Sequence, residues 1–272
     1  MKILIIGAGR MGSSIINAWH LALPKKYSVS IVETDSKRRD LIKKKYKKFK
    51  VYSNIPLGWK GNFLFLAIKP KDFDKTALAI NRKVSQIEFL ISIMAGIKIS
   101  YIRTKIKSAS KIIRIMPNIA TEISQGMTCM FSKNKINKQN SKEFENILKP
   151  MGKYTWLKKE NLIDAVTSIS GSGPAYFFLF LKLLTKASKN LGLDSKLSSL
   201  IVIQTAIGSV EMVKKDKNLN KLINRVTSKG GTSEAALKVF LSNENNLEEI
   251  IKKGVLAAKK KSLLLTNEID NE

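Results

Sequence analysis

The chain has 272 residues, of which 44% are hydrophobic, and carries a formal net charge of +28. This length fits one large domain or two ordinary ones with a sizeable core, and we predict two. The single cysteine, Cys129, excludes an internal disulfide. No charged and then apolar leader precedes the first predicted strand, so we expect a cytoplasmic protein. Apolar runs stop well short of the roughly 20 residues of a membrane span, and we expect no transmembrane helix.

A charge this positive is typical of proteins that bind nucleic acids, because clustered cations release counterions when they meet phosphate. Here the lysines are spread along the whole chain, and the densest run, residues 43–50, lies where an exposed helix face is expected. No Cys/His finger or RNA-recognition signature accompanies that run. A non-catalytic basic protein that binds nucleotides or nucleic acid is therefore only a distant alternative, and we predict no specific nucleic-acid partner.

The first half of the chain alternates short apolar runs with helical patterns, which is typical of a parallel sheet with crossover helices. The predicted elements are strands over residues 2–6, 29–34, 62–68, 88–94, 111–116 and 126–131, and a helix over residues 137–148. Most of these strands are apolar throughout, as expected for strands covered on both faces. Proline and glycine at residues 150–152 mark the end of this pattern, and we assign the first domain to residues 1–157.

From about residue 160 the strand-like runs disappear, and segments with a 3.6-residue period take their place. Helices are predicted over residues 175–190, 195–214 and 247–265, which makes residues 158–272 an all-helical second domain. The first of these helices is apolar on nearly all sides, more than one small helical domain can cover. We therefore expect a homodimer or larger homo-oligomer in which another subunit partly buries this helix.

Three glycines directly follow the first predicted strand and precede an amphipathic helix. Gly7, Gly9 and Gly12 form the pattern G-x-G-x-x-G, which binds dinucleotides in this strand-to-helix context. The first permits the tight turn, the second lets the pyrophosphate approach the backbone, and the third lets the helix pack on its strand. The helix N-terminus offers free N–H groups to the phosphates. The sequence thus predicts a Rossmann-type doubly wound parallel sheet in the α/β class, with a nicotinamide dinucleotide as cofactor.

The residues after the second predicted strand give conflicting indications about which nicotinamide cofactor is used. Glu33 falls about 20 residues beyond the glycines, where a carboxylate usually binds the ribose 2′-hydroxyl of NADH. Ser36 and the cations Lys37, Arg38 and Arg39 follow, and a hydroxyl with neighbouring cations suits the 2′-phosphate of NADPH. A solvated helix start explains these cations equally well. We expect NADPH, with NADH as the alternative.

Three further segments combine glycine, hydroxyl and proline residues more densely than packing requires. They are residues 67–70 (AIKP), 168–176 (SISGSGPAY) and 226–233 (VTSKGGTS). The first follows a core strand, at the sheet edge where open α/β folds bind ligands. The third places consecutive N–H groups before a helix, an arrangement that can bind a carboxylate without a charged side chain. Each segment alone is compatible with an ordinary turn, but together with the glycine motif they indicate an enzyme.

These segments, in this order, resemble pyrroline-5-carboxylate reductase over essentially the whole chain. The resemblance extends to residues 95–96 (AG), 114–118 (RIMPN) and 164–167 (DAVT). It implies an enzyme that transfers hydride from NAD(P)H to the ring imine of 1-pyrroline-5-carboxylate and so yields L-proline, the final step of proline biosynthesis.

The resemblance also implies which residues form the sites. Those expected to line the cofactor are Gly7, Ala8, Gly9, Arg10, Met11, Gly12, Ser36, Asn54, Ala67, Ile68, Lys69, Pro70 and Ala95. Those expected to border the substrate are Glu160, Thr167, Ser228, Gly231, Thr232 and Ser233. We expect the N–H groups of residues 231–233 to hold the substrate carboxylate. The catalytic candidates for delivering the proton to the imine nitrogen are Ser233 and Thr167, with a water molecule as the alternative.

Two positions depart from the family pattern, because Lys229 stands where proline is usual and Ser233 where a second threonine is usual. Losing the proline relaxes the loop and restores an N–H, while serine keeps the hydroxyl but frees its rotamer. The nearest alternative is therefore a related NAD(P)H-dependent reductase of another small imine or of a keto acid.

The side chains present exclude other chemistries. The only histidine, His20, falls in the helix after the glycine motif, so we expect it to be structural and not a general acid as in many hydroxy-acid dehydrogenases. The catalytic lysine of two-domain hydroxy-acid dehydrogenases corresponds to a position that resembles Phe177 here. One cysteine and one histidine do not make a zinc site of the usual ligand types, and we predict no metal.

Overall fold

The computed structural model describes residues 1–244 and 246–270, with side chains up to residue 265. The strands are β1 (Lys2–Ile6), β2 (Ser28–Val32), β3 (Lys50–Tyr52), β4 (Trp59–Leu66), β5 (Val84–Ser92), β6 (Ala109–Met116), β7 (Gly126–Phe131) and β8 (Gly152–Trp156). The helices are α1 (Arg10–Ala22), α2 (Ser36–Lys45), α3 (Phe73–Lys83), α4 (Ile99–Lys105), α5 (Lys138–Leu148), α6 (Leu162–Val166), α7 (Gly173–Asn190), α8 (Ser195–Lys215), α9 (Leu219–Val226), α10 (Thr232–Phe240) and α11 (Leu247–Asp270).

The eight strands form one sheet in the order β3-β2-β1-β4-β5-β6-β7-β8. Neighbouring strands pair in parallel except β6 and β7, which are antiparallel. That exception has a simple cause, because β6 and β7 are joined only by a short connection with a 3₁₀ turn at Ile119–Ile123, and a parallel pair needs a longer crossover. The predicted Rossmann-type fold with an all-helical C-terminal region is thereby confirmed.

The sheet is covered on both faces. Ile3 and Ile5 belong to one buried apolar cluster, which includes residues of α1 and α5, whereas Leu4 and Ile6 belong to a second, which includes residues of α3 and α4. Successive residues of a strand point to opposite faces, so β1 needs apolar residues at consecutive positions. This two-sided burial is the physical reason why the central strands are apolar throughout.

The strands that the sequence did not predict are the two edges of the sheet. Strand β3 has only three residues, none of them buried, and β8 consists of exposed and half-buried residues. An edge strand has one neighbour and less covered surface, so its apolar signal is weak. The other six strands coincide with predicted ones, with ends that shift by a few residues.

Packing divides the chain into two compact units. The sheet unit comprises Met1–Ser172 and the end of α11 from Ala258, and the helical unit comprises Gly173–Ala257. Helix α6 and the π-helical turn Thr167–Gly171 that follows it belong to the sheet unit, with α6 packed against β6 and β7. The domain boundary that we predicted at residues 157/158 follows the end of β8, before this short helical addition to the sheet unit.

The helical unit leaves many large apolar side chains exposed within one chain. Val202 and Leu222 are the buried apolar side chains among the described residues of that unit, whereas Phe177 and Phe178 of α7 are 69% and 63% exposed. Within the described part of the chain, α8 is the one helix that is long and apolar enough to cross a membrane, although the sequence led us to expect none. A helix covered by a second subunit meets the same criteria of length and composition.

Candidate cofactor and substrate sites

The three glycines of the motif have distinct steric surroundings. Gly7 has φ +96°, and a Cβ there would lie 2.5 Å from the carbonyl oxygen of Ala67. A Cβ on Gly12 would lie 2.3 Å from the carbonyl oxygen of Gly7, so both residues are glycine because backbone approaches them. Around Gly9 there is no atom within 4 Å of a Cβ position among the described residues. A side chain at Gly9 would project into open space that a ligand can fill.

The N-terminus of α1 is suited to an anion. Gly9 is the N-cap and has no side chain to occupy the first-turn N–H groups, and the first helical bond runs from Ser13 N to Gly9 O. The N–H groups of Arg10, Met11 and Gly12 therefore have no acceptor within the helix. Together with the space beside Gly9, they form a cradle that fits the pyrophosphate of a dinucleotide.

A cavity of about 300 Å³ adjoins the glycine loop. Its walls include Glu33, Asn54 and Ile68 from the sheet edge, together with Lys75 and Thr76 of α3. Asn54 and Ile68 are among the predicted cofactor residues, but nothing in the sequence pattern pointed to Lys75 or Thr76. A larger and more open depression of about 530 Å³ involves Lys2 and Lys60, at the amino ends of β1 and β4, and contains no predicted site residue. The smaller cavity, and not the larger depression, adjoins the phosphate cradle.

The remaining predicted cofactor residues lie at the same edge of the sheet. Ala67 N donates to Ile6 O at 2.8 Å, which places the AIKP segment beside the end of β1. Pro70 begins a 3₁₀ turn, Pro70–Asp72, that leads into α3. Ala95 follows β5, the strand next to β4. The structure thus brings the glycine loop, the AIKP segment and Ala95 to the carboxyl ends of three adjacent parallel strands, where open α/β sheets bind ligands.

Glu33 has a different orientation from the one that its position in the sequence suggests. The residue is only 5% exposed. Its Oε2 accepts hydrogen bonds from Ala8 N at 3.0 Å and from Arg38 Nη1 at 3.2 Å, and its Oε1 accepts one from Asp35 N at 2.9 Å. The carboxylate expected for a ribose hydroxyl is therefore engaged by the protein itself.

The segment after Glu33 forms the start of α2. Asp35 is the N-cap and accepts a hydrogen bond from Arg38 N at 2.7 Å, so Ser36 is the first helical residue. Arg39 Nη1 donates to Glu33 O at 3.0 Å and to Thr34 O at 3.1 Å. Both arginines are thus held against the loop between β2 and α2. A serine hydroxyl at a helix start with two guanidinium groups nearby suits a 2′-phosphate.

Two of the predicted substrate residues, Glu160 and Thr167, make hydrogen bonds inside the sheet unit. Glu160 Oε1 accepts from Ile99 N at 2.8 Å, at the start of α4, and from Arg114 Nη1 at 2.9 Å. Arg114 is buried, and its Nη2 has no partner among the described residues. Thr167 Oγ1 donates to Ile163 O at 2.7 Å. Arg114 begins the RIMPN segment of residues 114–118, but the sequence did not predict its ion pair with Glu160.

The loop of residues 228–233 lies in the helical unit and leads into α10. Gly231 is the N-cap of this helix, and its N–H donates to Ser228 O at 2.9 Å. The expectation that all three N–H groups of residues 231–233 face a ligand is therefore corrected: those of Thr232 and Ser233 remain, in the first turn of α10. Gly230 has φ +75°, and its N–H donates to Glu234 Oε2 at 2.6 Å. Glu234 is a loop-organising residue that the sequence did not indicate.

No metal centre accompanies these sites in the described part of the chain, where no group of three or more His, Cys, Asp and Glu residues lies together. His20 packs edge-on against Tyr46, with ring centroids 5.1 Å apart. Burial, together with the positive charges of Lys48 and Lys45, lowers the pKa of His20 below its ordinary value. These surroundings agree with a structural histidine.

The fold and the phosphate cradle together define a class, the nicotinamide-dinucleotide-dependent oxidoreductases with a Rossmann-type domain. Residues 2–96 match the family model "NADP oxidoreductase coenzyme F420-dependent", and residues 160–265 match the model "Pyrroline-5-carboxylate reductase dimerisation". The pyrroline-5-carboxylate reductase of Haemophilus influenzae is 35% identical over 191 residues, which are 69% of this chain and 70% of that protein. The chain therefore belongs to the pyrroline-5-carboxylate reductase family, and the resemblance seen in the sequence is confirmed.

Solved structures agree with this assignment. A pyrroline-5-carboxylate reductase from Coxiella burnetii has a TM-score of 0.84 and 27% identity, covering 97% of this chain and 98% of its own. The pyrroline carboxylate reductase of Plasmodium falciparum, solved with NADP bound, has a TM-score of 0.82 and 27% identity, covering 98% of each chain. The chain is an oxidoreductase of this family and forms a homo-oligomer through the region that the dimerisation model covers.

Proposed function

We propose that the chain reduces the ring C=N bond of 1-pyrroline-5-carboxylate with NADPH and releases L-proline. The observation that carries this proposal is the pair of anion sites at two helix starts, one at α1 in the sheet unit and one at α10 in the helical unit. The first suits the cofactor phosphates, and the second suits the carboxylate of a small substrate. Family membership supplies the substrate class.

In this reaction the main task of the protein is to orient the ring imine. A ring imine is already electrophilic, and more so when protonated, so the residues must align it and exclude water. When bound, NADPH supplies the hydride to the imine carbon. That carbon becomes a CH₂ group, and the enzyme therefore retains the stereocentre beside the carboxylate without creating a new one.

We assign the grip on the substrate carboxylate to the loop of residues 228–233. The N–H groups of Thr232 and Ser233 open the first turn of α10 and carry the positive end of the helix dipole. Gly231 is held in place by its bond to Ser228 O. A negatively charged ligand is thereby favoured without any basic side chain. The neighbouring Lys229 is not needed to bind the carboxylate.

The proton for the imine nitrogen has three proposed sources, the hydroxyls of Ser233 and Thr167 and a water molecule. The hydroxyl of Thr167 already donates to Ile163 O, so it must break that bond before it can donate elsewhere. We therefore favour Ser233 or a water molecule as the donor. Glu160 acts in this proposal through its ion pair with Arg114, which fixes the segment before α6.

The start of α2 favours NADPH over NADH, because it combines the hydroxyl of Ser36 with the guanidinium groups of Arg38 and Arg39.

A homodimer is the simplest assembly that covers α7 and α8, and cytoplasmic location remains a prediction from the sequence. The replacement of the family's proline by Lys229 leaves room for one alternative, reduction of another small imine or of a keto acid, because it alters the loop assigned to the substrate.

A turnover assay tests these assignments. NADPH and NADH oxidation are measured with 1-pyrroline-5-carboxylate, with 1-pyrroline, which lacks the carboxylate, and with a panel of keto acids. The proposal predicts the highest kcat/KM for 1-pyrroline-5-carboxylate with NADPH and a large loss for 1-pyrroline. A keto acid that is turned over faster would establish the alternative, and absence of cofactor oxidation with every substrate would contradict both.

A further inference from the structure

Glu33 connects three parts of the cofactor region that are separate in the sequence, two of them through its carboxylate and one through its backbone. One oxygen binds the backbone of Ala8 in the glycine loop and the guanidinium of Arg38 in α2, and the other binds the backbone of Asp35 at the start of α2. The backbone N–H of Glu33 donates in addition to Tyr52 O of β3, at 3.0 Å. Glu33 therefore holds the glycine loop, α2 and β3 at one point.

We infer that Glu33 is a positioning residue for the cofactor cradle and does not read the ribose 2′-hydroxyl. This inference rests on the proposed cofactor site. Glu33 borders the cavity beside the glycine loop, but its side chain is only 6% exposed. Its carboxylate already accepts three hydrogen bonds from the protein, which leaves little of it to present to a ribose. A buried carboxylate needs such donors, because an unpaired charge is costly to bury.

The two roles differ in their consequences for the choice of cofactor. A carboxylate that binds the 2′-hydroxyl favours NADH and repels the 2′-phosphate of NADPH, so its removal weakens NADH binding and strengthens NADPH binding. A carboxylate that positions the loop supports both cofactors, since they share the pyrophosphate. Because it also holds Arg38, it supports NADPH at least as much as NADH, and its removal weakens both.

The bond from Ala8 N to Glu33 also determines which N–H groups face the pyrophosphate. With Ala8 N turned toward the carboxylate, the donors left for the phosphates include those at the start of α1, from Arg10 to Gly12. Without Glu33 the loop loses a charge-assisted hydrogen bond, and such bonds are among the stronger ones in proteins. The loop would then have to be ordered by the cofactor itself, which lowers affinity.

The experiment measures equilibrium binding without substrate. Dissociation constants for NADPH and NADH are determined by fluorescence titration for the wild type, Glu33→Ala and Glu33→Gln, with thermal melts for each. Asn137→Ala is the matched control, because Asn137 is the N-cap of α5 and likewise accepts a hydrogen bond from a backbone N–H, that of Asn140 at 2.8 Å.

We expect Glu33→Ala to raise both dissociation constants by about 10- to 100-fold, in line with the loss of hydrogen bonds to a charged group. Glu33→Gln keeps an acceptor oxygen and should lie between the alanine variant and the wild type. In both variants the affinity for NADPH should fall at least as much as the affinity for NADH, so the ratio of NADPH to NADH affinity should not rise. The control should melt at a lower temperature and bind both cofactors normally.

Three results would overturn the inference. Loss of NADH affinity alone, or a gain in NADPH affinity, would show that Glu33 binds the ribose 2′-hydroxyl. Unchanged binding of both cofactors in a folded variant would show that the connection contributes nothing. If Glu33→Ala does not fold, the glutamine variant decides by the same criteria. Wild-type protein that binds neither cofactor would instead contradict the proposed function.

Discussion

The sheet unit and the helical unit differ in how far their large apolar side chains are buried. In the sheet unit they fill two clusters on the faces of one sheet, and large side chains such as Trp19, Phe63 and Phe65 have no exposed surface. In the helical unit the phenylalanines Phe177, Phe178 and Phe180 of α7 are more than half exposed. Exposed apolar surface of this kind is typical of a region that another subunit covers. The first unit is built around its own core, and for the second we expect another subunit to provide the missing cover.

The same difference applies to the two anion sites. The cradle at α1 is held by glycines in contact with backbone and by the buried Glu33. The loop before α10 is held by one turn and by the partly exposed Glu234. Substitutions in the sheet unit should therefore change cofactor binding without changing assembly, and substitutions in the helical unit should change assembly or substrate binding without changing cofactor binding.

The largest effect is expected from Gly9→Val. A Cβ at this position has open space around it, so the fold should survive while the valine side chain excludes the pyrophosphate. We expect cofactor affinity to fall by more than about 100-fold, because the clash is with the ligand itself. Fluorescence titration of NADPH measures this effect, with Gly9→Ala as a graded control. Normal affinity in a folded valine variant would remove this loop from the site.

Assembly should respond to a charge on α7. Phe177→Asp places a carboxylate on a surface that we expect to be buried between subunits, and an unpaired buried charge is strongly destabilising. Sedimentation should show a shift from the oligomer toward a 30.5 kDa monomer. Leu57→Asp is the matched control, since Leu57 is 84% exposed in the sheet unit. Equal behaviour of the two variants would contradict the comparison between the units.

Substrate binding should respond to Ser233→Ala. Gly231, and not Ser233, is the N-cap of α10, so the substitution should cost little stability. The loss of a hydrogen bond to a charged ligand should lower kcat/KM for 1-pyrroline-5-carboxylate by roughly 10- to 150-fold. Cofactor affinity should stay near the wild-type value.

Ser199→Ala is the control for this serine, because its hydroxyl donates only to Ser195 O within α8. The carboxylate-free 1-pyrroline provides a second comparison, and its low kcat/KM should change little in Ser233→Ala if the serine acts on the carboxylate. Wild-type kinetics in Ser233→Ala would exclude it from the substrate site.

A smaller effect is expected from Glu234. Removing its bond to Gly230 N in Glu234→Ala should loosen the loop and raise KM by about 2- to 10-fold with kcat nearly unchanged, in line with the net worth of one hydrogen bond. Glu234→Gln should restore KM, because an amide oxygen accepts the same N–H. Glutamine that behaves like alanine would indicate that the charge matters more than the hydrogen bond.

The smallest effect concerns the pH dependence of stability in the sheet unit. Burial and the nearby lysines lower the pKa of His20 from its ordinary value of 6.5, so the unfolded chain takes up the proton first as the pH falls. Stability contributed by neutral His20 is therefore fully present above pH 6.5 and decreases below it. Melting temperatures of wild type and His20→Gln at pH 7.5 and 5.5 measure this, and the variant should lose less on acidification.

Much of this molecule followed from the sequence because the responsible signals are local. A strand, three glycines at fixed spacing and a helix are neighbours along the chain. The spacing of Gly7, Gly9 and Gly12 therefore predicts the turn between the strand and the helix. Continuous apolar runs predicted the doubly covered strands, and the 3.6-residue period predicted α7, α8 and α11. The order of motifs sufficed for the family.

Only the tertiary structure decided features that depend on partners distant in the sequence. The direction of the Glu33 carboxylate depends on its hydrogen bond from Ala8. The orientation of the Glu160 side chain depends on its hydrogen bonds from Ile99 and Arg114. Strands β3 and β8 form because each pairs with the strand beside it. A sequence pattern records which residues are apolar or flexible, but not which donor a buried carboxylate meets. That choice is made when hydrogen-bonding groups leave water and each must find a partner in the folded chain.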